Sequence, residues 1–333
     1  MVHTFQGKTV GNIGFGLMGF TLRGRVLSDE QIFTTMKAAL ESGCNYWNGG
    51  EFYGTPERNS LTVLERYYER YPEDVGKILL NVKGCIYPAE NFRPDSSPEG
   101  VKTSIESCVR MIGGKGRIDQ FEAARKDPKV DIEVTMKAMQ GHINAGDIGG
   151  IALSEVSAKN IRRAAKVAKI TAVEIELSLW ETEPLTNGVV QACAELDIPI
   201  LAYSPLGKGM LTGQVKSFDD LAEGDFRRML PRFQPDVFEE NLRLVREVET
   251  LAARKGCTPG QIAINWLLAL AKRPGMPEII PIPGATTVER VKENAVEIDL
   301  TEEDLAEIDE LLKKFTPVGD RYPAFAMHLL DKE

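Results

Sequence analysis

The strongest constraint on this chain is an unbroken alternation of short β-type segments and amphipathic helical ones. Eight segments read as strands, at 10–16, 46–48, 78–83, 118–124, 148–154, 171–177, 198–204 and 277–282. Between and after them lie helical segments at 30–42, 57–71, 98–112, 132–145, 158–169, 187–196, 236–255, 287–294 and 301–315, with another opening at Thr258. In 98–112, for example, Val101, Ile105, Cys108, Val109 and Ile112 recur at helical spacing. Thr258-Pro259-Gly260-Gln261 carries a capping box with proline in the first turn. No linker rich in Pro, Gly or Ser divides the 333 residues, and no internal repeat is evident. The expectation is a single domain over 1–333, folded as a (β/α)8 TIM barrel; the competitor is an open doubly wound sheet. A long loop at 207–235 follows the seventh strand, and reads either as a lid or as a surface insert. The tail at 321–327 is expected to fold over the rim.

In a barrel the carboxyl ends of the strands form one rim, and sites lie there. Asn48, Lys83, Ala124, Ser154, Glu174 and Tyr203 all fall at or near such ends. Tyr53 follows Asn48 by five residues, in the glycine-rich turn after the strand. A tyrosine that must give up a proton needs a nearby cation to make it more acidic, and Lys83 is the candidate. Glu122 lies two residues before Ala124, so the two point to the same side of their strand. If that side is the interior, Glu122 can serve as an anionic partner of Lys83; the alternative is a carboxyl satisfied elsewhere.

Charge and composition exclude several classes. A net charge of −9 argues against a nucleic-acid or anionic-membrane partner, since both need a basic face. The five cysteines are scattered, with no C-x-x-C pair, and read as reduced thiols of a cytoplasmic protein. His3, His142 and His328 are the only histidines, and none adjoins a cysteine, so no metal is expected. The first six residues carry neither a basic segment nor an apolar run, so no leader is expected. No apolar run approaches the roughly 20 residues that span a bilayer. Gly14, Gly16 and Gly19 have the spacing of a dinucleotide fingerprint, but no helix opens directly from them, which favours a turn closing over a ligand or a neighbour.

Six stretches carry a resemblance over nearly the whole chain. They are Ile13-Gly-Phe-Gly-Leu-Met-Gly, Trp47-Asn-Gly-Gly-Glu-Phe-Tyr-Gly, Val82-Lys-Gly, Ile151-Ala-Leu-Ser-Glu, Ala202-Tyr-Ser-Pro-Leu-Gly-Lys-Gly-Met-Leu-Thr-Gly and Ile282-Pro-Gly-Ala-Thr-Thr-Val-Glu-Arg-Val-Lys-Glu-Asn. In these the chain resembles the aldo-keto reductases. The Asn-Gly-Gly-Glu-Phe-Tyr-Gly wording and Phe121-Glu-Ala-Ala-Arg-Lys-Asp-Pro point to their pyridoxal reductase branch.

The resemblance implies hydride transfer from NADPH to an aldehyde, with pyridoxal reduced to pyridoxine. It implies Tyr53 as general acid, assisted by Lys83. It implies Tyr203 as the ring on which nicotinamide stacks and Ser154 as a carboxamide contact. Backbone amides from Leu206 to Leu211, Lys208 and Gly209 among them, and near Gly284 and Ala285 would cradle the pyrophosphate, with Ser204 a further cofactor contact. Arg290 would pair with a 2′-phosphate, which favours NADPH over NADH, and Glu293 and Asn294 would meet adenine. Met18, Phe20, Trp47 and Trp180 are candidates to line the carbonyl pocket, although each except Met18, taken alone, reads rather as core. Three positions depart from the family pattern: Asn48 replaces an aspartate, Ala124 a histidine, and Glu174 a carboxamide-binding glutamine. Those departures leave open a broad aldehyde reductase, or a cofactor-binding regulatory protein without catalysis.

Overall fold

A computed structural model of the protein describes residues 3–22 and 26–331. Met1 and Val2, part of the stretch read for a leader, lie outside the described residues. A small antiparallel hairpin, His3–Phe5 with Lys8–Val10, comes first. Eight parallel strands follow: β1 Phe15–Gly16, β2 Tyr46–Gly50, β3 Leu79–Gly84, β4 Gln120–Ala123, β5 Ile151–Ser154, β6 Ile170–Glu176, β7 Ile200–Tyr203 and β8 Ile279–Pro281. Each pairs with its sequence neighbours, in the order β1 to β8. The sheet closes on itself. Gly16 bridges Gly284 in parallel, and the Gly14 and Gly16 amides donate to Pro281 O at 2.9 Å and Pro283 O at 3.1 Å. A Cβ on Gly14 would lie 2.7 Å from Tyr46 O and 2.8 Å from Ile282 Cγ2, so the seam admits only glycine there. The glycine spacing read in sequence thus closes the barrel on a neighbouring strand, and the open-sheet alternative falls.

The helices are α1 Asp29–Glu41, α2 Ser60–Arg70, α3 Pro98–Met111, α4 Ile132–Ala145, α5 Ala158–Ala165, α6 Val189–Glu195, α7 Pro235–Lys255, α8 Pro259–Leu270, α9 Val288–Asn294, α10 Glu302–Lys314 and α11 Ala324–Met327. Their starts follow from caps. Ser28, Ser97, Ser157, Thr258 and Thr301 each accept a backbone N–H of the first turn. The helix expected from residue 57 starts at Ser60, because the Asn59 side chain takes the amides of Leu61 and Thr62.

Two apolar layers result. Val10, Tyr46, Leu79, Ala152, Ala172, Leu201, Ile280 and Ile282 fill the barrel interior, with Phe5 of the hairpin packed against them. A larger layer lies between strands and helices. The segment at 207–235 is neither a loose insert nor featureless. It forms four 3₁₀ turns, and Leu221, Leu230 and Phe233 are buried in the outer layer. All five cysteines are free thiols, four of them buried. Among the described residues, no helix is long and apolar enough to cross a membrane.

Candidate active site

The turn after β2 holds Tyr53 from several sides. Its amide donates to Gly50 O at 3.2 Å, and its carbonyl accepts Ser60 N at 3.1 Å and the Thr21 hydroxyl. Ser60 Oγ bonds both the amide and the carbonyl of Gly50, each at 2.9 Å. Gly54 has φ +125, and a Cβ there would lie 2.2 Å from Arg58 O. Asn59 completes the turn by donating to Thr55 O at 3.1 Å. The signal for this scaffold was present in sequence as an N-cap asparagine, but it went unread.

Strand register brings the polar interior together. Gly50 pairs with Lys83, and Lys83 with Glu122. Lys83 is buried and donates to Asn48 Oδ1 at 2.8 Å and to Glu174 Oε2 at 2.5 Å. Glu122 Oε1 lies 3.2 Å from the ammonium, an ion-pair distance, yet among the described residues neither of its oxygens has a hydrogen-bond partner. Asn48 Nδ2 uses both its hydrogens, toward Glu174 Oε2 at 2.6 Å and Asn81 Oδ1 at 2.8 Å. The ammonium stands 5.7 Å from the centroid of the Tyr53 ring. Glu174, expected to face a carboxamide, therefore points to Lys83 and Asn48. Glu122, expected as the anionic partner of Lys83, lies at ion-pair distance from it but as the more distant of two carboxyls.

The electrostatics depart from the simplest expectation. Burial pushes the Tyr53 phenol up to about 12, and Lys83 pulls the other way without prevailing. Burial is the larger effect, and the Glu174 carboxyl offsets part of the ammonium's charge at the phenol. Burial lowers Lys83, but Glu174, Tyr53 and Glu122 outweigh it and hold Lys83 above the ordinary lysine range. Glu122 sits well above the usual carboxylate range, from burial first and the charge of Glu174 second. Its protonated form is favoured there.

Toward the other side of the rim, two expected cofactor residues present orphaned polar atoms. Ser154 Oγ and Asn294 Nδ2 are buried without a partner among the described residues. Arg290 Nη1 pairs with Glu293 Oε2 at 2.7 Å, and Glu293 Oε1 accepts Thr258 Oγ1 at 2.9 Å. Ala285 is buried beside the seam glycine Gly284. The turn after β7 is wound tightly: Ser204, Gly207, Lys208 and Gly209 all have positive φ. The amides of Gly207, Gly209 and Leu211 donate to Ser204 O, Leu206 O and Leu206 O. Lys208 Nζ pairs with Glu176 and lies 5.2 Å from the Tyr322 ring centroid.

Tyr203 is tied to Glu155, a site residue that sequence reasoning missed, and to two residues of the tail. Its hydroxyl donates to Glu155 Oε1 at 2.8 Å, lies 2.9 Å from the Tyr322 hydroxyl, and accepts from Arg321 Nη2 at 3.0 Å. Arg321 is buried and pairs with Glu155 at 2.8 Å and Glu176 at 3.0 Å. The tail thus covers the rim, as expected. Arg125, next to Ala124, faces the same area; burial opposes its charge, but Tyr203, Tyr322, Glu155 and Tyr53 keep it above the ordinary arginine range.

The expected pocket residues divide. Met18 stays half-exposed on its 3₁₀ turn. Phe20 and Trp47 do not line the interior. Both are buried in the outer layer, where Phe15 packs edge-on against each, and Trp47 meets Tyr67 of α2 at 5.4 Å. Side chains on a strand alternate, so with Tyr46 and Asn48 inward Trp47 must point out. Trp180 is likewise buried, edge-on to Phe233.

The family model of the aldo/keto reductases matches residues 12–313. A probable pyridoxal reductase 2 of Schizosaccharomyces pombe is 41% identical over 95% of this chain and 96% of its own length. A putative pyridoxal reductase of Saccharomyces cerevisiae is 36% identical over 93% of this chain and 95% of its own. The S. pombe aldo-keto reductase yakc, whose name specifies NADP(+), is 34% identical over 95% of this chain and 92% of its own. Among solved structures, a glycerol dehydrogenase from Gluconobacter oxydans superposes with a TM-score of 0.81 at 21% identity, covering 97% of this chain and 98% of that one, a likeness of fold.

Proposed function

From the premise that this chain belongs to the aldo/keto reductase family and is an oxidoreductase, we propose that it reduces pyridoxal to pyridoxine with NADPH, as one catalytic domain. The observation that carries the reading is the buried Lys83 ammonium beside the ring of Tyr53, at the carboxyl end of β3. The phenol carries its proton at working pH, and the Lys83 ammonium beside it acts against burial to ease that proton's release. Tyr53 donates that proton to the aldehyde oxygen, and Lys83 stabilises the phenolate left behind. The turn from Gly50 to Ser60 fixes the donor, so little reorganisation is needed on the way. Bound NADPH supplies the hydride.

The residues present fit that cofactor. Ser154 Oγ and Asn294 Nδ2 are buried polar atoms in want of partners. Arg290 offers a guanidinium to a 2′-phosphate, sharing it with Glu293. Tyr203 supplies a ring for nicotinamide. Free thiols throughout suit a reducing compartment, consistent with a cytoplasmic enzyme.

The test is NADPH oxidation with pyridoxal and with a simple aromatic aldehyde, for wild type and Tyr53→Phe. Turnover that prefers pyridoxal and vanishes in Tyr53→Phe supports the reading. Equal turnover of all aldehydes drops pyridoxal and keeps a broad reductase. Bound NADPH with no turnover of either overturns the enzymatic reading in favour of a regulatory one.

A further inference from the structure

We propose that Glu174 of β6 is the counter-ion of Lys83, and that Asn48 and Glu174 form a matched amide–carboxylate pair in which the negative charge lies on β6 rather than β2. The proposal rests on the reading of Tyr53 and Lys83 above, and it makes both Asn48 and Glu174 positioning residues that act through Lys83.

The hydrogen bonds fix the polarity of the pair. Asn48 Oδ1 accepts from Lys83, while Nδ2 donates to Glu174 and Asn81. An aspartate in place of Asn48 would have no hydrogen for Glu174 and would set a third carboxyl around one buried ammonium. A glutamine in place of Glu174 would leave Lys83 with amides and Glu122 alone. Asn48→Asp alone therefore disrupts the site, and Glu174→Gln alone leaves Lys83 to its more distant carboxyl. Asn48→Asp and Glu174→Gln together rebuild it. The new carboxylate on β2 would lie where Asn48 Oδ1 now lies, at Lys83, and the new amide on β6 would donate in the opposite sense across the same contact. The two departures on β2 and β6 are thus one exchange in two halves.

Glu122 is the reserve. Two carboxyls cannot both ionise against one ammonium in a buried site. Glu174 is closer and hydrogen-bonded, so Glu122 holds the proton. Removing Glu174 alone would let Glu122 ionise and take its place, masking the effect. The charged groups facing Lys83 and Tyr53 are Glu174 on β6, Glu122 on β4 and Arg125 after β4; Tyr46 on β2, whose hydroxyl is bonded to Gln120, faces the two carboxyls.

The experiment accordingly uses Glu122→Gln as its reference background. Tyr53 ionisation is followed without substrate as tyrosinate absorbance, each variant minus its Tyr53→Phe counterpart, together with Tm. Adding Glu174→Gln removes the last carboxyl near Lys83. Tyr53 should then ionise at least tenfold more readily, with Arg125 favouring phenolate over a neutral lysine, and Tm should fall. Adding Asn48→Asp as well should return both the titration and Tm toward the reference. In the wild-type background Asn48→Asp alone should lower Tm, through the third carboxyl. A triple variant no more stable than the double, or a titration unmoved by Glu174→Gln, overturns the proposal. Because tyrosinate needs no turnover, these outcomes stand apart from failure of the aldehyde-reductase reading, which would appear as absent turnover in wild type.

Discussion

Arg321 Nη2 lies 2.8 Å from Glu155 Oε1, and this contact anchors the C-terminal tail by charge at the mouth of the barrel. Arg321 Nε also donates to Glu176 Oε2 at 3.0 Å, so one guanidinium separates two buried carboxylates. Arg321→Ala would leave Glu155 without its pair, with Lys208 alone on Glu176. Breaking a buried pair from one side costs about 3–5 kcal/mol. A matching fall in the denaturant midpoint is expected, with Arg321→Lys recovering only part of it, since the fork geometry is lost.

The same contact sets an acid sensitivity. Burial would raise Glu155, but Arg321 and Arg125 overcome it and bring the carboxyl to about 2. A folded value below the unfolded one means that the group stabilises the fold above the ordinary carboxylate range. That stability is lost as pH falls from there toward 2. Urea unfolding at about pH 6 and about pH 3 should show a larger loss for wild type than for Glu155→Gln. An equal loss would mean that Glu155 takes no part.

Tyr53 at about 12 predicts a one-sided pH profile. Reduction needs the protonated phenol and should show no alkaline fall from this group up to about pH 10. Alcohol oxidation needs the phenolate and should rise with pH over the same span. Tyr53→Phe should cost reduction about 10²–10⁴-fold, the usual worth of a positioned acid, with cofactor affinity retained. Steady-state rates in both directions against pH check this.

Arg290 predicts cofactor preference. Its guanidinium is held by Glu293 at 2.7 Å and stays a quarter exposed, so it is positioned and accessible. Arg290→Met should raise KM for NADPH about tenfold, equivalent to about 1.4 kcal/mol for one charge-assisted contact, and leave KM for NADH nearly unchanged.

Asn59 predicts that the scaffold of Tyr53 matters to rate. Asn59→Ala removes the cap of α2 and the bond to Thr55 O, at a cost of about 1–2 kcal/mol. A fall in kcat with little change in cofactor KM would show that the turn's fixity serves Tyr53; a stability loss alone would confine Asn59 to structure.

The barrel was legible because each of its strands and helices carries its own period, and no break interrupts the alternation. The rim was legible for the same reason: Asn48, Lys83, Glu122 and Glu174 sit at strand positions whose register brings them together. What sequence could not show was which carboxyl Lys83 would choose, because that depends on distances set by sheet closure. Glu174 won by hydrogen-bonding where Glu122 only approaches. Trp47 and Phe20 took the core reading rather than the pocket one, as period 2 along Tyr46-Trp47-Asn48 already implied for Trp47. Arg321 and Tyr322 were foreseen only as a covering tail, since nothing local marks an arginine as bound for carboxylates on β5 and β6.

The seam at Gly16 and Gly284 joins the first strand of the barrel to the segment just beyond its last. Every other strand pair links neighbours in sequence, so those pairings close short loops, whereas this one spans most of the chain. Until it forms, the sheet has two open parallel edges, each able to template pairing with another molecule. Completion of the cylinder is therefore the high-contact-order step of folding. A circular permutant cut between helices on the far side would make that pairing local and move the long-range step to the new gap.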